Sequence, residues 1–228
     1  MKLVKWVKPV VALVLVSALS ACASVYDVRP QPVNTQVSVF NNGVESLRSK
    51  KVHEVEVGAS APQMVQFDDL RFMVSFTNHG KNPVEFSPAN VAATLNGQAV
   101  PVLSYEAQLQ DIENRLSYYG YRLSVLPGPG YVAPYYQSGV GFGGRFGFGF
   151  AGFDDGMNDR LDVQRAYNDL DRLKRLGLKP RVVKPGETAA GEITLARRLP
   201  AGSVQYLSLD VNVDGETHHF EFGYHSRR

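Results

Sequence analysis

The chain predicts a mainly β fold, an antiparallel β-sandwich interrupted by an inserted pair of helices and a long loop rich in glycine and aromatic residues. Three observations carry this. Short runs that alternate apolar and polar recur before residue 104 and after residue 178, the period of half-buried strands. Two dipeptides, Asn96-Gly97 and Asp214-Gly215, stand where type I′ hairpin turns need positive φ at both central residues. Between the two β blocks the period changes to steps of three and four, which lays one apolar stripe along a helix.

In chain order, Val37 and Val39 begin a strand closed by Asn41-Asn42-Gly43. His53, Val55 and Val57 share a face in the next, with Glu54 and Glu56 on the other side. Arg71 to Thr77 aligns Phe72, Val74 and Phe76, and Asn78-His79-Gly80 ends it. Folding back about Asn96-Gly97 sets Val91 opposite Val102 and Ala93 opposite Val100. After Pro185-Gly186 comes a strand from Thr188 to Ala196. A hairpin about Asp214-Gly215 then sets Val211 opposite His218, Leu209 opposite Phe220 and Leu207 opposite Phe222, one apolar face on both strands. Seven or eight such strands resemble the immunoglobulin-like sandwiches of exported bacterial domains, without the cysteine pair of antibody domains.

The insertion spans 104 to 178. Ser104 is placed to cap a helix whose stripe is Tyr105, Leu109, Ile112, Leu116 and Tyr119. A second helix runs from Asp154 or Asp155 to Leu176, with Val163, Ala166, Tyr167, Leu170 and Leu173 as its apolar side. Acidic residues open it and Arg172, Lys174 and Arg175 close it, the order that the helix dipole favours, and Gly177 stops it. The loop from 120 to 153 carries Tyr131, Tyr135, Tyr136, Phe142, Phe146, Phe148 and Phe150 among many glycines. Those aromatics have two open roles: contact with a partner or a bilayer surface, or cover for the chain's own helices and sandwich.

The N-terminus carries the sharpest functional signal. Lys2, Lys5 and Lys8 precede an apolar run from Val10 to Leu19 that is short for a membrane span, followed by Leu19-Ser20-Ala21-Cys22. This tetrad resembles the lipobox of bacterial lipoprotein precursors. The resemblance implies removal of residues 1 to 21 and acylation of Cys22, so that membrane lipid is the first expected partner. Several acyl chains on one residue anchor far more firmly than one. Ala23 follows the cysteine, where an Asp would imply retention in the inner membrane, so the implied location is the outer membrane, facing the periplasm. Residues 22 to 36, with Pro30, Pro32 and Asn34, lack hydrophobic periodicity and are expected to be a tether. The sandwich then comprises 37 to 103 and 179 to 228.

Cysteine count and charge narrow the function. Cys22 is the single cysteine of the 228 residues, which excludes a disulfide framework and a thiol nucleophile elsewhere. The 24 Lys and Arg fall to 21 once Lys2, Lys5 and Lys8 are removed, against 22 Asp and Glu, so no basic excess points to nucleic acid. Gly139-Val140-Gly141-Phe142-Gly143-Gly144 matches G-x-G-x-x-G but lacks the strand-turn-helix that gives that motif its phosphate chemistry. Asp210 to Asp214, Gly215 and Glu221 satisfy the EF-hand pattern for calcium, yet both flanks alternate with period two, so a hairpin is expected instead. The five histidines, His53, His79, His218, His219 and His225, show no metal-ligand spacing, and His219 should lie across from Asp210.

No catalytic residue, metal site or cofactor is expected. Two functions fit these residues. One is a non-catalytic, membrane-anchored envelope protein that binds an envelope partner or serves structurally. The other is a periplasmic ligand-binding or enzymatic domain whose site the insertion builds over the sandwich, using Tyr118, Tyr119 and Tyr121.

Overall fold

The computed structural model describes residues 25–33, 36–41, 43–65, 69–125, 151–198 and 204–227. They divide into two compact units, one made of the residues up to Leu103 and from Leu178 onward, the other Ser104–Gly177. The insertion expected over 104 to 178 and the second unit differ by one residue.

The first unit is an antiparallel β-sandwich. One sheet has six strands in the order β5 (Gln63–Val65), β1 (Val25–Gln31), β13 (Glu216–Arg227), β12 (Val204–Val213), β8 (Val91–Leu95) and β9 (Gln98–Val100). The other has five, β11 (Thr188–Arg198), β6 (Asp69–Thr77), β4 (Glu54–Ala59), β3 (Val44–Lys50) and β2 (Val37–Asn41). A two-stranded ribbon joins β7 (Val84–Phe86) to β10 (Arg181–Val183). The apolar residues predicted to share faces meet in a single core, where Val57, Phe72, Phe76, Leu209, Phe220 and Phe222 are fully buried. Phe72 and Phe222 touch across it at 4.9 Å between ring centroids. Each such side chain contributes about 1.5–3 kcal/mol through burial.

Both hairpins have the expected register. Asp214 and Gly215 adopt φ of 46° and 80°, and Val211, Leu209 and Leu207 pair with His218, Phe220 and Phe222. Asn96 and Gly97 likewise have positive φ, and Ala93 pairs with Val100. Val102 does not pair with Val91. It bridges Leu195 in the other sheet, because Pro101 has no N–H to extend the ladder. Leu103 N donates to Thr194 O and Ala196 N to Pro101 O, so the chain changes sheets here.

Two further expectations are corrected. Residues 25–31 are a strand, not part of a tether, paired with β13 along their whole length and with β5 over Val25 to Asp27. Tyr26 supplies the anchor at 1% exposure. Val28 N donates to Pro62 O, so Pro30, two residues on, directs its missing donor to the same side, past the end of β5. Thirteen strands, not seven or eight, occupy the described residues. The five additional ones are β1, β3, β5, β7 and β10, three of them only three residues long and too short to show a period.

The second unit pairs helix α1 (Tyr105–Val125) with α2 (Ala151–Leu176). Ser104 Oγ accepts from Ala107 N at 3.0 Å, the expected cap. Ile112, Ala166 and Leu173 are buried, as the stripes require, but Tyr167 is exposed. Arg115 reaches Asp169 at 3.1 Å and ties the helices together at their polar margin. The helices also take up 120–125 and 151–153 from the expected loop. Gly120 meets nothing nearby, and one glycine in a helix costs only about 1 kcal/mol.

Candidate functional site

Two buried histidines, His53 and His218, lie where the tip of the β12–β13 hairpin meets the turn between β3 and β4. Alternation puts His53 in line with Val55 and Val57, and His218 opposite Val211, so both imidazoles fall on inward faces of their strands. They are 1% and 0% exposed. His53 Nε2 lies 3.4 Å from Asp214 Oδ2, while its Nδ1 is buried without a partner. His218 Nδ1 lies 3.0 Å from Ser49 Oγ, and its Nε2 stands 3.5 Å from Glu216 Oε2 without forming a hydrogen bond.

Glu216 organises the group. Its carboxylate accepts Val52 N at 3.1 Å and His53 N at 3.0 Å, so one side chain of the first sheet holds the turn of the second. Partial burial opposes its charge, but those amide donors and the two nearby histidines hold its carboxyl below the ordinary range. Burial pushes the His218 imidazole below its ordinary value; Glu216 opposes this, and Lys51 and His53 add to it. Lys51 Nζ donates to Thr217 O at 2.6 Å. Gly80 packs on the His53 ring, where an added Cβ would come within 2.8 Å of Cε1.

The residues matching the calcium pattern are distributed between strands. Asp210 and Glu221 flank His219, Asn212 Oδ1 accepts from Thr217 Oγ1, and Asp214 turns to His53. His219 lies across from Asp210, as expected, and the hydrogen bond to Asp210 raises its imidazole above the ordinary value, with burial opposing and Glu221 assisting. The segment from Asp210 to Glu221 is thus two strands and a turn. Among the described residues, no three His, Cys, Asp or Glu side chains are grouped to hold a metal ion.

Cys22, Tyr131, Tyr135, Tyr136, Phe142, Phe146, Phe148 and Phe150 lie outside the described residues, as does the G-x-G-x-x-G match at 139 to 144. Tyr118 and Tyr121 lie on exposed positions of α1, and Tyr119 meets Tyr118 edge to face at 5.3 Å. Sequence placed His53 and His218 on apolar faces but had no signal that they meet, because they come from different sheets some 160 residues apart. No protein-family model, curated protein or solved structure matches the chain. Among the described residues no helix is long and apolar enough to cross a membrane.

Proposed function

We propose that this chain is a lipid-anchored protein of the bacterial cell envelope, acting at the outer membrane as a non-catalytic binding or structural module. The observation that carries the proposal is the tetrad Leu19-Ser20-Ala21-Cys22 behind a lysine-bearing apolar segment. On this reading the position of β1 sets how far the fold lies from the anchor. The first strand begins at Val25, so three residue steps, at most about 3.6 Å each, separate the acylated cysteine from a strand paired on both sides. The sandwich would therefore be held within roughly 11 Å of its anchor, close to the bilayer surface.

Several polar groups of the sandwich serve to join strands, which supports the structural side of this reading. Glu216 and Asn78 bind backbone amides and carbonyls, and His218 meets Ser49 of the facing sheet, so these groups join strands. The aromatic segment between the helices is the proposed contact with an envelope partner.

The test is intact-mass measurement on protein extracted from membranes of a lipoprotein-processing bacterium, beside a Cys22→Ser variant. A wild-type chain starting at Cys22 with the added mass of acyl groups, absent from the variant, is the expected result. An unmodified Cys22 in the wild type refutes the anchor and the location together.

A further inference from the structure

We propose that the joint between the β3–β4 turn and the β12–β13 tip is an acid-releasable clasp, in which proton uptake by His218 opens this end of the sandwich and leaves the rest folded. Five contacts make the joint, and all run between the two sheets. Glu216 accepts Val52 N and His53 N, Lys51 Nζ donates to Thr217 O, His53 Nε2 meets Asp214, and His218 Nδ1 meets Ser49 Oγ. The apolar core lies behind them, where the uncharged rings of Phe72 and Phe222 meet across the two sheets.

His218 is the member that acid would disturb. Its ring is fully buried, and its neutral form suits its surroundings when Nε2 carries the proton toward Glu216 and Nδ1 accepts from the Ser49 hydroxyl. A second proton puts a full charge where water does not reach. Among the described residues the anion on its Nε2 side is Glu216, at 3.5 Å, and its oxygens are already engaged by two amides. Lys51 and His53 face it from the opposing turn, Ser49 is neutral, and Asp214 is directed to His53 and is mostly solvent-exposed. Burial and Lys51 thus outweigh Glu216. Opening the turn from the tip returns the imidazole to water, so the open form takes up the proton more readily and acid shifts the population toward it. The device depends only on this geometry and is independent of the lipid anchor.

The experiment is backbone amide exchange on the mature chain from pH 7.5 to 5.5, corrected for intrinsic exchange, together with NMR titration of the imidazoles. With an ordinary value of 6.5 in the open form, protection of the Val52 and His53 amides falls several-fold, and at most about tenfold at pH 5.5, relative to core amides of β6 and β12. In His218→Gln that pH dependence disappears. Should this variant fail to fold, the wild type decides: His218 must titrate below 6.5, and over the same range as the loss of protection. Flat protection at Val52 and His53, an unchanged slope in the variant, or a parallel loss in the core would each overturn the proposal.

Discussion

Replacing Asn78 by alanine should remove much of the sandwich's stability, because one buried amide closes two loops at once. Asn78 follows the last residue of β6 and is fully buried. Its Nδ2 donates to Asn82 O at 2.8 Å and to Val183 O at 2.9 Å, and its Oδ1 accepts Gly80 N at 2.9 Å. Its own backbone binds Glu187 O and Gly186 N, so the turn before β11 and the loop before β7 share this residue. Truncation leaves the buried Val183 carbonyl without a partner, worth ~1–3 kcal/mol, while the two partly buried groups regain water and lose about 1 kcal/mol each. The expected total is about 3–5 kcal/mol. Urea unfolding followed by circular dichroism measures it as a fall in midpoint with little change in slope. Asn78→Asp keeps the outline but turns both donors into acceptors facing carbonyl oxygens, so it should cost at least as much as alanine. A cost below about 1 kcal/mol for alanine, or an aspartate variant close to wild type, would refute the claim that hydrogen bonds and not shape hold these loops.

Other outcomes follow from single contacts. Gly191→Ala would place a Cβ 2.5 Å from the Leu178 Cα and should break the Leu178 N to Glu192 O bond, whereas a Cβ at Gly97 meets nothing and strains only a positive φ, about 1 kcal/mol; thermal melts should separate the two clearly. Because the carboxyl of Glu216 is held below its ordinary 4.5, its stabilisation is present above that pH and is lost as pH falls through the lowered value. Wild type should therefore lose stability more steeply than Glu216→Gln in the acid range, and equal slopes by denaturant titration would contradict this. Ser104→Ala should cost the helical unit about 1 kcal/mol, read as faster amide exchange in the first turn of α1 and no change in β6.

Sequence by itself determined the local features of this protein. A positive φ at Asn96, Gly97, Asp214 and Gly215 is a property of those residues, and once the turn is set the strand period dictates which side chains pair, so the long hairpin was legible to the residue. The cap at Ser104 and the stripes of both helices are local in the same sense. Cys22 and its setting also lie within one short stretch. Only the tertiary structure decided what depends on chain segments far apart. Val25 to Gln31 becomes a strand because β13 and β5 offer it partners and the core a place for Tyr26, although its own Pro30 argues against one. Pro101 to Leu103 leaves its hairpin for the opposite sheet. The joining of His53, His218 and Glu216 is of this kind too, since period two shows which face a residue takes but not what the facing sheet presents to it.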